Sequence, residues 1–126
     1  MPPLNAFLRS FSYAWSGIIH GLSTQRNLKV QAICAGLAFV ISIWLGLSPP
    51  EWAILILTLA GVMGSEMFNT ALETTLDHIS RERHPQIGIA KDVAAGAVLI
   101  WALASLGVAL CLWVPKLYAL FSLPVS

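Results

Sequence analysis

Charge is the scarcest commodity in this chain. Only 10% of its 126 residues are charged, against about 25% in soluble domains. The apolar stretches 30–50, 52–65 and 93–115 carry no charge at all. A net charge of +1 leaves no basic footprint for nucleic acid, so no nucleic-acid partner is expected. Cysteine is nearly absent too. Cys34 and Cys111 fall in different apolar runs and read as small hydrophobes buried among apolar neighbours, with no disulfide between them. Walker loop, zinc spacing and Ser-His-Asp constellation are all missing. No compact apolar core follows Arg9, so the start does not read as a signal peptide. Repeats and low-complexity tracts are also lacking. What is abundant is apolar residue, 57% of the chain, which is a membrane-protein composition. The length suits one domain, 1–126, of three or four helices, with no room for a separate soluble nucleotide-binding fold.

The fold class expected is all-α and integral to a membrane. Residues 4–22 place Phe7, Phe11, Trp15, Ile18, Ile19 and Leu22 on one side, and Arg9, Ser10, Ser12, Ser16 and His20 elsewhere. This is the pattern of an amphipathic helix lying on a membrane surface. A first span covers about 29–47, near the roughly 20 residues needed to cross. Gly46, Pro49 and Pro50 then form a turn, flanked by Trp44 and Trp52 as interfacial aromatics. The next uncharged run, 52–65, is too short to cross by itself. Its apolar side continues through Met67, Phe68, Ala71, Leu72, Leu76 and Ile79, so one helix over 51–79 is expected, its last third amphipathic. A polar loop follows, and the third span covers about 89–114. Arg9, Arg26, Lys29, Arg81, Arg83 and Lys91 lie on one side of these spans and only Lys116 on the other. The positive-inside rule makes the N-terminus and the 80–92 loop cytoplasmic and the C-terminus external.

The stretch "SEMFNTALETTLD", 65–77, puts acidic residues at the end of a hydrophobic run. Glu66, Asn69, Glu73 and Asp77 are spaced three, four and four apart, an arc of roughly 80° on a helix. At about 1.5 Å per residue Glu66 lies about 21 Å beyond Trp52, inside a hydrocarbon core of about 30 Å. Glu73 reaches the interface. An ionisable group at the depth of Glu66 is expensive and points to function. Burial suits a carboxylate to act as a general base; an interfacial one such as Glu73 suits magnesium. Asn69 can hydrogen-bond a phosphate or orient a carboxylate. For Asp77 a solvated helix extension is the plain alternative. Lys91 and Asp92 open the third span, and the small residues Ala94, Ala95, Gly96 and Ala97 allow it to approach Glu66 and Glu73. Lys91 otherwise snorkels to the interface. Gly61 and Ser65 offer further small surfaces for packing between subunits. From these residues alone, phosphoryl transfer at a membrane surface stands beside an ion path through a small transporter or non-catalytic subunit. The Lys91–Asp92 pair favours the first, because an ion path has no need of it.

"EMFNTALETTLD" followed by "HPQIGIAKDVAAGAVLI" resembles the signature of the prokaryotic diacylglycerol kinase family, which includes undecaprenol kinases. The resemblance runs from "YAWSGI" through the third span. It implies a homotrimer in a bacterial cytoplasmic membrane, with active sites shared between subunits. It also implies phosphorylation of a lipid hydroxyl from ATP and Mg2+. Diacylglycerol is the expected acceptor, giving phosphatidic acid, with undecaprenol as the alternative. By position Glu66 resembles the general base and also a residue that binds the lipid, and Glu73 a metal ligand. Asn69 and Asp77 match polar residues of the same site. Lys91 and Asp92 match nucleotide contacts, and Glu82, Arg83 and His84 the segment along the nucleotide. Tyr13 and Gly17 match surface-helix residues that cover it, and Ala95 a position on the lipid side. One departure stands out: where the family commonly has a second metal-binding Glu before the first span, this chain has "TQRN", with Gln25 at that position.

Overall fold

The computed structural model describes residues 3–82 and 84–122. These residues form four helices and no strand: α1 (Pro3–Thr24), α2 (Arg26–Leu45), α3 (Pro49–Ile79) and α4 (Pro85–Ser122). The last three are each long and apolar enough to cross a membrane. Helix α1 joins α2 through Gln25 alone, in an extended conformation. The elbow is tight: a Cβ on Gly21 would come within 2.9 Å of the Leu28 side chain, and Leu28 is buried.

The turn between α2 and α3 is built by local chemistry. Gly46 sits at φ +68°, and its N–H donates to the carbonyls of Ser42 and Ile43. These are carbonyls that the end of the helix leaves unpaired, and glycine takes the left-handed conformation without a Cβ penalty. Helix α3 then starts from Ser48. The Ser48 N–H and hydroxyl both donate to Glu51 Oε2, at 2.7 and 2.9 Å. Pro49 and Pro50 occupy the first turn, where no N–H is needed.

The turn is also tied to α4. Lys116 Nζ pairs with Glu51 Oε2 at 3.0 Å and donates to the Gly46 carbonyl at 3.3 Å. Trp113 Nε1 donates to the hydroxyl of Ser42, a residue with 0% exposure, at 3.1 Å. Beneath these polar links lies the main apolar cluster: Leu47, Leu55 and Leu112, surrounded by Trp52, Leu59, Val108 and others. Phe39 and Trp52 stack at a tilt, 5.4 Å between ring centres.

The expected spans meet helices of somewhat different bounds. The third span, about 89–114, falls within α4, which runs over Pro85–Ser122, straight through Pro115. Leu112, Trp113 and Lys116 hold it on both sides of the proline, and tertiary contact outweighs the lost hydrogen bond. Helix α2 runs over Arg26–Leu45 where the first span was read as about 29–47; Gly46 ends it. Cys34 and Cys111 are exposed on different helices, not buried within the chain. A bundle of long helices has little interior, and large apolar residues such as Ile43, Leu57, Val93 and Leu106 point outward. Such a surface calls for lipid or neighbouring helices around it.

Gly46→Ala should destabilise the fold by about 1 kcal/mol, the cost of a left-handed non-glycine residue. Gly36→Ala, which meets nothing within 4 Å in mid-helix, should be neutral or slightly stabilising. Thermal unfolding of both variants in detergent checks the pair; equal effects would refute the role given to Gly46.

Candidate active site

Helix α3 needs an apolar face for membrane and neighbours along its whole length, yet its second half carries the acidic stripe. The structure resolves this by turning the stripe inward. Glu66 is 4% exposed and Asn69 8%, Glu73 is half-buried, and Asp77 is exposed. The stripe thus grades from a buried carboxylate to an exposed one over about three turns. Asn69 Nδ2 donates to Glu73 Oε1 at 3.2 Å, the (i, i+4) reach of a helix. That bond fixes which way the Asn69 amide points and leaves its Oδ1 buried with no partner. Of the two ion pairs among the described residues, neither involves Glu66 or Glu73. Glu66 is therefore a buried carboxylate with no compensating cation from the described part of its own chain.

Lys91 Nζ pairs with Asp77 Oδ1, joining the first turns of α4 to the end of α3. Lys91 was expected beside Glu66 and Glu73; it is held at the outer end of the stripe instead. Asp92, one residue on, is exposed and turned off this contact. The small residues of α4 do approach the stripe: Ala94 and Ala97 share a groove of about 510 Å³ with Ser65 and Asn69. Ala95 is exposed and lies outside the lining of that groove. Gly61 does not supply a bare surface for another subunit. The Trp101 ring of the same chain covers it so closely that a Cβ would clash.

A second cleft, of about 440 Å³, lies where α3, the connecting loop and α4 meet. Asp77, Ser80, Arg81, Glu82, His84 and Lys91 line it together. Ser80 Oγ bridges the Glu82 backbone, donating to its carbonyl and accepting from its N–H, each at 3.3 Å. Arg83 lies outside the described residues. On α1, Tyr13 is exposed and nothing packs within 4 Å of where a Gly17 Cβ would be. Gln25, half-buried at the elbow, donates from Nε2 to Thr24 Oγ1 at 3.4 Å. This chain brings neither Tyr13, Gly17 nor Gln25 into a recorded bond with the stripe.

Gln31 was not anticipated. Its Oε1 is buried without a partner, one of two such atoms among the described residues, the other being Asn69 Oδ1. At about 1.5 Å per residue it lies roughly 22 Å from the Gly46 turn, and Glu66 lies roughly 25 Å from Pro49, so the two sit at similar depth on antiparallel helices. The signal was present in the sequence: a lone amide in an otherwise apolar stretch of α2.

Comparison with known proteins was then decisive. The model of the prokaryotic diacylglycerol kinase family matches residues 12–113, which spans all of α3 and both clefts. The chain belongs to that family. It is 39% identical over 114 residues to an undecaprenol kinase of Bacillus subtilis, covering 90% of this chain and 93% of that protein. It is 40% identical over 114 residues to a diacylglycerol kinase of Synechocystis, covering 65% of that protein's length. With a diacylglycerol kinase of Escherichia coli it shares 31% over 93 residues, 74% of this chain and 76% of the other. A membrane kinase family favours the phosphoryl-transfer reading of the stripe over the ion path.

A buried carboxylate without a cation is costly, and replacing such a group by an apolar one of similar size is often neutral or stabilising. Glu66→Leu should therefore melt at or above the wild-type temperature. A clear fall in melting temperature would show that the carboxylate is compensated in the folded protein.

Proposed function

We propose that the protein is an ATP-dependent lipid kinase. It transfers the γ-phosphoryl group to the hydroxyl of diacylglycerol, giving phosphatidic acid. The observation that carries this is the grading of one helical stripe. Glu66 is buried at a depth where a lipid hydroxyl can reach it, and it continues through Asn69 and Glu73 to a polar cleft at Asp77 and Lys91. Acceptor and nucleotide have opposite solvent preferences, and such a stripe joins the two media along about 17 Å.

In this reading Glu66 accepts the proton of the lipid hydroxyl as the oxygen attacks phosphorus. Asn69 holds the Glu73 carboxylate in one orientation. Glu73 keeps its other oxygen for magnesium, which is commonly bound by one or two carboxylates with phosphates and water completing the shell. The described residues contain no group of three or more metal-binding side chains, so the donor set fits an ion that arrives with its nucleotide. Bound there, magnesium would neutralise charge on the phosphate oxygens. Lys91, released from Asp77, offers a cation to the nucleotide, and Glu82, Arg83 and His84 lie along it. Tyr13 and Gly17 of the surface helix cover it. Gln25 supplies a neutral oxygen where relatives place a carboxylate, which weakens a second metal position.

The same reading makes the protein a single-domain homotrimer with shared sites. Lys91 faces its own stripe while Asp92 and Ala95 are exposed on other sides of α4, free to complete a neighbour's site. It also places the N-terminus and the 80–92 loop in the cytoplasm of a bacterial cell, where ATP is. Undecaprenol is a second acceptor to consider, favoured by the 39% identity to a protein named for that substrate over nearly its whole length.

Purified protein given labelled ATP, magnesium, diacylglycerol and undecaprenol should phosphorylate a lipid, and the labelled product names the acceptor. Glu66→Gln should lower turnover by about 10² to 10⁴, the usual worth of a positioned base. Activity within a few-fold of wild type in a folded variant would remove Glu66 from that role. Gln25→Glu should lower the magnesium concentration needed for half-maximal rate, because it adds charge beside a divalent ion; an unchanged requirement would place Gln25 outside the metal shell.

A further inference from the structure

Among the described residues, the charges lining the cleft where α3, the connecting loop and α4 meet cancel. Asp77 and Glu82 stand against Arg81 and Lys91, with His84 neutral. An empty cleft of this composition has no net attraction for a polyphosphate. Lys91 is the more enclosed of the two cations: its side chain is 31% exposed, while Arg81 lies open to solvent. It is also the one already engaged. Lys91 Nζ pairs with Asp77 Oδ1, and among the described residues Arg81 makes no ion pair. No other side-chain hydrogen bond between described residues joins α3 to α4 at this end of the bundle; the Lys116 links lie at the Gly46 turn. The pair is a strap across the cleft that both residues line.

Two features decide what the strap does. Asp77 belongs to the same chain, so its carboxylate is always present beside Lys91 at a high effective concentration. It competes with any phosphate that enters. The Asp77 side chain, however, is 66% exposed. A pair so open to water is worth no more than about a fivefold change in an equilibrium constant. A phosphate group brings more charge and more acceptor oxygens than a carboxylate, and displaces it. Lys91 is thus held without being locked.

We propose that Asp77 is an autoinhibitory residue. Its carboxylate occupies Lys91 in the empty site, lowers the affinity for nucleotide, and takes Lys91 back as the nucleotide leaves. The proposal rests on the lipid-kinase reading and adds a regulation of the same site. It separates Asp77 from the residues that serve the bound nucleotide. Binding moves Lys91 Nζ from the Asp77 carboxylate to a phosphate oxygen, with no proton or electron transferred. Arg81, four residues on and lining the same cleft, is the cation left to Asp77. The apparent affinity is then the intrinsic one reduced by the fraction of sites in which Lys91 is free.

The test is a double-mutant cycle on MgATP binding, measured at equilibrium in the purified protein in detergent. Asp77→Asn keeps the shape and removes the charge, and should tighten binding by about three- to fivefold. In a Lys91→Gln background the same substitution should change nothing, since no lysine remains to be released. Unchanged or weaker binding in Asp77→Asn overturns the proposal. An equal gain with and without Lys91 also overturns it, because the carboxylate then acts only through its field. A second readout covers the case in which Lys91→Gln binds too little to measure. Lysines are converted to isotope-labelled dimethyllysine, which stays charged, and the Lys91 signal is recognised by its loss in Lys91→Gln. That signal should move when MgATP saturates the wild type, and should move without nucleotide in Asp77→Asn. A signal that stays fixed under MgATP means that Lys91 remains on Asp77, and the proposal fails. Lipid phosphorylation is scored separately. A wild type that binds MgATP yet phosphorylates no lipid defeats the kinase reading and leaves the cycle to decide the strap. If neither wild type nor Asp77→Asn binds MgATP, both are overturned.

Discussion

Everything in this molecule is arranged around the cost of keeping one carboxylate inside a membrane-spanning helix. Glu66 is buried, has no cation partner among the described residues of its own chain, and sits well short of the helix end that water can reach. Such a group is unfavourable in lipid and unfavourable in a dry core. It is retained only if the stripe it belongs to is turned away from lipid, which fixes the rotation of α3. That rotation in turn decides which face of α4 lies against it, the face of Ala94, Ala97 and Trp101.

The two ends of the bundle divide the labour. At the Gly46 turn the helices are locked by a left-handed glycine, a Ser48–Glu51 cap, the Lys116 pair, the Ser42–Trp113 hydrogen bond and the best-packed apolar cluster. At the other end two buried oxygens, Asn69 Oδ1 and Gln31 Oε1, lack partners, and Lys91 is held only by an exposed carboxylate. Residues with unspent hydrogen-bonding capacity gather where substrates would arrive. A rigid end and a receptive end on the same three helices let the site open without loosening the fold.

The departure at Gln25 belongs to the receptive end. Gln25 is a neutral amide at the elbow between α1 and α2, half-buried and bonded to Thr24. Gln31, two turns further along α2, adds a second neutral oxygen near the depth of Glu66.

Some of this was readable from the residues alone. The chargeless runs set the number of spans, because lipid admits no unpaired backbone and few charges. The three-four-four spacing put Glu66, Asn69, Glu73 and Asp77 on one face, since helical geometry is local. What the sequence could not carry were contacts between distant segments. Pro115 is a helix breaker by propensity, and only Leu112, Trp113 and Lys116 packing on the turn keep α4 going. Lys91 had several acidic residues in reach, and the relative slide of α3 and α4 chose Asp77. Gly61 looked like a surface for another subunit until Trp101, 40 residues later, took the space. Local periodicity is written in each helix by its own residues; the register between helices is decided by side chains far apart in the chain, and appears only when they pack.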